Sequence, residues 1–100
     1  MEKQDFEDYR QFFNENGYVL FKNAVDHKTL EIMNSEVRAW IEDSRSHNKN
    51  FGVTIDGRPR FDLELNTHSK DNPALRRIAS PIEISETFLA FTRDNLALDL

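Results

Sequence analysis

Apolar side chains near the start of the chain recur with helical spacing and then give way to a continuous apolar run. The four positions that set this spacing are Phe6, Tyr9, Phe12 and Phe13. They predict a helix over residues 4–16. Gly17 follows at once, and glycine commonly ends a helix because it adopts positive φ without steric cost. The β-prone run YVLF at residues 18–21 then predicts a short strand.

A second helical pattern, over residues 27–43, is the clearest in the sequence. Asp26 precedes it and can accept hydrogen bonds from the unpaired amides of the first turn, which predicts an N-cap. The apolar stripe consists of Leu30, Met33, Val37, Trp40 and Ile41. At this spacing, the tryptophan and its neighbours are more typical of a core face than of a ligand box.

Two runs of alternating apolar residues predict a β-hairpin over residues 51–65. The alternating positions are Phe51, Val53, Ile55, Phe61, Leu63 and Leu65. Between them, Asp56-Gly57 predicts a two-residue type I′ turn, in which both residues adopt positive φ. Pro59 cannot donate a ladder hydrogen bond, so the second strand should be shortened or lie at an edge.

Helical signals return after the predicted hairpin. Asn72-Pro73 predicts an N-cap and first-turn proline for a short helix over residues 74–79, and Ser80-Pro81 should end it. A last helix is predicted over residues 83–93. A fresh apolar pattern over residues 95–100 then carries no stop signal, which predicts that residues 1–100 are one incomplete domain of a longer protein. The expected fold class is α+β.

The composition narrows the classes of function. The 100 residues carry 13 Lys and Arg against 18 Asp and Glu, for a net charge of −5, and no long basic cluster. This argues against nucleic-acid binding, which needs a positive surface along the phosphates. The chain has no cysteine, which excludes disulfides and thiolate metal ligands. It also has neither a signal-peptide pattern nor an apolar run of membrane-spanning length, and the expected location is cytoplasmic.

The junction between the first two predicted helices resembles a known family. Residues 13–26 read F-x-x-x-G-Y-V-L-F-x-N-A-V-D and are followed by the amphipathic helix that carries Trp40-Ile41. This arrangement resembles the N-terminal region of the phytanoyl-CoA dioxygenase family. The similarity covers about residues 6–43, and a looser similarity covers residues 72–100.

The resemblance implies the front segment of a double-stranded β-helix, or cupin-like, oxygenase. Such enzymes use Fe(II) and 2-oxoglutarate to hydroxylate a small organic substrate, with two histidines and one carboxylate as iron ligands. The family's first pair of ligands is His-x-Asp or His-x-Glu, and none of His27, His47 and His68 has that neighbour. The resemblance therefore implies that the catalytic residues, both cofactor sites and the 2-oxoglutarate-binding arginine lie beyond residue 100. This segment alone should be inactive, with the rest of the domain packing on its apolar face.

Three residues are weak candidates for substrate binding. Arg58 and Arg60, close to Asp62 and Glu64, can bind a carboxylate or phosphate, because guanidinium forks suit these groups. The alternative is a turn and strand with a solvated face. His68, between a predicted strand and a predicted helix start, can face a cleft. His27 and His47 are expected at the surface, and Glu83, Glu86 and Asp94 have no matching histidines that would make a metal site.

A second hypothesis assigns the chain to another class: a complete, non-catalytic α+β module that binds a partner protein through its acidic surface and helix stripe. The absence of a ligand motif supports it equally well. The GYVLFKNAVD string before a tryptophan-bearing helix, and the uncapped end, favour the oxygenase segment.

Overall fold

The computed structural model describes residues 2–99, which form an α+β fold with three α-helices and one small antiparallel sheet. The predicted α+β class is therefore confirmed. The elements are α1 (Lys3–Asn16), α2 (His27–Ser44), β1 (Phe51–Val53), β2 (Pro59–Leu63), β3 (Leu75–Ile78) and α3 (Glu86–Phe91). Two short 3-10 helices cover Pro81–Glu83 and Leu96–Asp99.

The first helix ends as predicted, but the strand expected after it does not form. Gly17 adopts φ +78° and its amide donates to the carbonyl of Phe13 at 2.8 Å. Within residues 2–99, no backbone hydrogen bond joins residues 18–21 to a neighbouring strand. The strand prediction was wrong because a β-strand needs a partner, whatever its propensity. The segment instead packs on α1, with the Phe21 ring stacked on Tyr9 at 4.7 Å between centroids.

The second helix matches its prediction closely. The Asp26 side chain accepts hydrogen bonds from the Thr29 amide at 2.9 Å and the Thr29 hydroxyl at 2.8 Å, so the predicted N-cap is confirmed. The inner face carries Trp40, which is half-buried and lies 6.2 Å from Phe61 and 5.9 Å from Phe88, centroid to centroid. Trp40 therefore packs α2 against the sheet and α3.

The predicted hairpin is confirmed, with a different turn. Strands β1 and β2 pair antiparallel, with Phe51 opposite Phe61 and Val53 opposite Pro59. The connection is a five-residue loop, residues 54–58, in which Gly57 has φ +87° and Asp56 does not have positive φ. The type I′ prediction was therefore wrong. The strand order is β1-β2-β3, so β2 is central, and Pro59 is tolerated there because it begins the strand.

The short helix expected over residues 74–79 is the edge strand β3. It pairs antiparallel with β2, and a bulge interrupts the register between Asp62 and Leu63. The local Asn-Pro helix signal did not prevail, because β2 supplies backbone hydrogen-bond partners for residues 75–78. The last predicted helix is shortened to α3, which Ser85 caps by accepting from the Phe88 amide at 3.1 Å.

The chain buries little apolar surface. Among the described residues, Leu63 is the one buried large apolar side chain, with 2 % of its surface exposed. Twelve large apolar side chains are more than 40 % exposed: Phe12, Phe13, Tyr18, Leu20, Leu30, Ile32, Val53, Ile55, Leu65, Ile82, Ile84 and Leu98. The radius of gyration is 17.6 Å, against ~13 Å for a compact 100-residue domain. The fold thus leaves most of its apolar faces uncovered.

Candidate functional site

Arg60 on the central strand is buried, and both of its terminal nitrogens donate to neighbouring oxygens. Its side chain is 7 % exposed and forms an ion pair with Glu83 at 2.7 Å. The other terminal N–H groups donate to the carbonyls of Ala79 at 3.0 Å, Ser80 at 2.8 Å and Val53 at 3.2 Å. We call this set the Arg60 clamp. It ties the end of β1 to the segment that follows β3.

Glu83 completes the clamp from the other side. The same carboxylate oxygen that meets Arg60 also accepts from the amide of Ile55 at 3.0 Å. The hydrogen bond from Ile55, and then the Arg60 guanidinium, lower the pKa of Glu83 below its ordinary value. The carboxylate is therefore held in its charged form, which the buried arginine requires.

Gly52 lets β1 approach the clamp closely. It adopts φ +72°, and a Cβ built there would lie 2.8 Å from the Arg60 Cβ and 3.3 Å from the Phe61 ring. Both the backbone conformation and the space exclude a side chain. The glycine therefore sets how tightly β1 lies over Arg60.

Arg58, two residues before Arg60, has a different environment. Its side chain is 60 % exposed, and its Nε donates to the two Asp56 carboxylate oxygens at 3.0 and 2.9 Å. A hydrogen bond from the Thr54 hydroxyl, followed by Arg58, lowers the pKa of Asp56. Arg58 also lies 3.3 Å from the Ser80 hydroxyl. Arg58 thus lies on the exposed side of the loop of residues 54–58, whereas Arg60 holds this part of the chain through a buried side chain.

Arg58 and Arg60 both reach Ser80, but the buried Arg60 guanidinium is already bonded to Glu83 and to backbone carbonyls, so the two side chains do not form an open fork for an anion. Asp62 pairs with Arg76 at 2.9 Å, and this partner lowers the pKa of Asp62 and has its own pKa raised. Glu64 also meets Arg76, at 3.5 Å. Substrate binding by Arg58 and Arg60 stays a prediction, and the geometry gives Arg60 a structural role.

His68 borders a cleft of about 360 Å³, lined also by Arg45, His47 and Lys70. Its Nδ1 accepts from the Ala74 amide at 2.8 Å, so the ring proton lies on Nε2. That Nε2–H faces the carbonyls of Ser44 at 3.1 Å and His47 at 2.9 Å. Both ring nitrogens serve to join the end of α2 to the residue before β3, and substrate binding by His68 stays a prediction.

Two long-range side-chain contacts, one of them in the Arg60 clamp, were missed by sequence reasoning. Glu83 contacts Arg60 across 23 positions, and Ser85 donates to Glu36 across 49 positions at 2.7 Å. Neither spacing leaves a local pattern in the sequence. The alternation of Phe61 and Leu63 would place Arg60 on the opposite face of the strand, so it gave no signal that Arg60 is buried.

The described side chains do not fit Fe(II). Within residues 2–99, no group of three or more His, Asp or Glu side chains is placed to hold a metal ion. His27 pairs with Glu31 at 2.8 Å, and His47 lies 3.9 Å from Asp43 and stacks on Phe51 at 3.6 Å. No chemical step can be assigned to iron on these residues.

No family model, curated protein or solved structure matches this chain. None of the helices in residues 2–99 combines the length and the apolar character needed to cross a bilayer.

Proposed function

We propose that this chain is the N-terminal segment of a phytanoyl-CoA dioxygenase-like, Fe(II)- and 2-oxoglutarate-dependent oxygenase that hydroxylates a small organic substrate. Its fold would be the front of a double-stranded β-helix, and the iron ligands and the 2-oxoglutarate site would lie beyond residue 100. The segment would act as scaffold and as part of the substrate entrance, in a cytoplasmic enzyme.

The observation that carries the proposal is the string GYVLFKNAVD between two helices. The first helix stops at Gly17 with φ +78°, and Asp26 caps a second helix that turns Trp40 inward. These are the local features on which the resemblance depends.

The exposed apolar surface supports the idea that a further part of the domain packs here. Tyr18 is 64 % and Leu20 is 70 % exposed, and single-sided exposure of this extent over a connected segment is typical of an interaction surface. The remainder of an oxygenase domain would cover it. Isolated residues 1–100 should then be inactive.

The test is to read the coding sequence past Leu100 and to express the longer protein with about 200 further residues, a typical domain length. We expect a His-x-Asp or His-x-Glu, a distant histidine and a following arginine. We also expect anaerobic Fe(II) binding that strengthens with 2-oxoglutarate, and conversion of 2-oxoglutarate to succinate under oxygen. Residues 1–100 alone are the control. A stop codon at position 101, or a longer protein that neither binds Fe(II) nor consumes 2-oxoglutarate, would overturn the proposal.

A further inference from the structure

A groove of about 420 Å³ lies between the start of α2 and helix α3. Its apolar lining consists of Ala24, Val25, Ile32, Ala90 and Phe91. Its polar rim consists of Asp26, Thr29, Glu86, Thr87 and Asp94. We call it the α2–α3 groove. It belongs neither to the Arg60 clamp nor to the His68 cleft.

All the charged residues of the rim are acidic. Within residues 2–99, neither lysine nor arginine lines the groove, and the Glu86 and Asp94 carboxylates have no ion-pair partner. Asp26 accepts from Thr29, whose amide and hydroxyl lower its pKa and keep it charged. Asp26 is thus stabilised at the N-terminus of α2, whereas Glu86 and Asp94 leave two negative charges beside the apolar lining without an ion-pair partner among the described residues.

These three carboxylates line the groove but are not grouped at one point. They make no group that could hold a metal ion among the described residues. An occupant must therefore meet negative charge at separate points and cover apolar side chains between them. A basic peptide with a bulky apolar side chain has this distribution, because lysine and arginine stems pack on apolar surface while their charged ends reach carboxylates.

We propose that the α2–α3 groove binds a basic peptide segment of a partner protein, with one bulky apolar side chain on the floor and lysine or arginine at the rim. The net charge of −5 attracts such a partner before contact. This binding is separate from oxygenase activity and does not depend on it. A failed peptide assay would leave the oxygenase proposal intact, and the converse also holds.

The experiment measures fluorescence anisotropy of a fluorescein-labelled hexapeptide, Leu-Phe flanked by a Lys-Arg pair on each side, titrated with the 100-residue chain. Two control peptides replace Leu-Phe by Gly-Gly, or the basic pairs by Glu-Asp. The protein variants are Glu86→Gln, Asp94→Asn and Ala90→Trp, with Asp71→Asn as a charge-matched control outside the groove. Circular dichroism of each variant checks that the helices are retained.

We expect saturable binding of the Leu-Phe peptide, weakened about 2–5-fold by each rim neutralisation and at least about 10-fold by Ala90→Trp, which fills the floor. Asp71→Asn should bind like the parent chain. Equal binding of the Gly-Gly peptide would show that binding depends on surface charge alone, and would overturn the proposal. Binding unaffected by Ala90→Trp would overturn it too. A dimer of the chain that Ala90→Trp dissociates, seen by analytical ultracentrifugation, would make a second copy the occupant and likewise overturn it.

Discussion

The front of the molecule, residues 3–21, and the sheet region, residues 50–85, are held together in opposite ways. In the front region no residue of α1 is buried, and its attachments are ring contacts such as Phe21 on Tyr9 and on Phe6. In the sheet region, long-range hydrogen bonds converge on a buried arginine. The sheet region also has the buried Leu63.

This difference teaches which forces can define a unique structure when the apolar core is small. Apolar contacts are non-directional, so a helix that buries none of its residues can shift on its neighbours at little cost. Hydrogen bonds to a buried guanidinium fix both distance and angle, and leaving them unmade is expensive. We therefore expect the sheet region to unfold last.

The largest expected effect comes from Arg60→Met. It removes the positive partner of Glu83 and leaves three carbonyls without their donor, so we expect a loss of about 3 kcal/mol in the free energy of unfolding. Arg58→Met is the matched control, and should change it by less than about 1 kcal/mol because that side chain is exposed. Urea unfolding followed by Trp40 fluorescence measures both. Equal losses would show that the clamp does not stabilise the sheet region.

Gly52→Ala should be the next most damaging change. The new Cβ meets Arg60 at 2.8 Å and the residue must keep φ +72°, so we expect about 2 kcal/mol of destabilisation. Gly57 also has positive φ, but a Cβ built there would have nothing within 4 Å. Gly57→Ala should therefore lower the free energy of unfolding by only about 1 kcal/mol. Denaturant midpoints compare the two, and a larger effect at Gly57 would contradict the close approach.

A change in the front region should act locally. Phe21→Ala removes the ring that contacts Tyr9 and Phe6. We expect the local stability of α1 and residues 18–21 to fall by about 1 kcal/mol, with no effect elsewhere. Hydrogen exchange should speed up at α1 amides while the amides of β2 keep their rates. Faster exchange in β2 as well would mean that the two regions unfold as one unit.

The smallest expected effect is the dependence on pH. Glu83 and Asp62 have pKa values lowered in the folded chain from the ordinary 4.5 and 3.8. Their contribution to stability is therefore present above those values and is lost as pH falls through the lowered ones. The unfolding free energy should stay level above about pH 5 and fall below pH 4.5. Glu83→Gln and Asp62→Asn should each flatten that fall, and identical slopes in all three proteins would refute this assignment.

Some of the fold could be predicted from the sequence, because it depends on interactions between residues that are close together along the chain. Gly17 stops α1 by its own freedom at positive φ, and Asp26 caps α2 through a residue three positions away. Alternation predicted the pairing of β1 and β2, whose strands are neighbours along the chain.

The tertiary structure decided the rest, because its causes lie far away along the chain. Residues 18–21 have strand propensity but no partner among the described strands. Residues 75–78 follow the helix signal Asn72-Pro73, yet they become β3 because β2 supplies their hydrogen bonds. Likewise, the sequence predicted that Arg60 lies on a strand. Its burial and its ion pair depend on Glu83, which lies far away along the chain. Propensity, capping and turns depend on residues a few positions apart, whereas burial and strand pairing depend on which distant segment packs alongside.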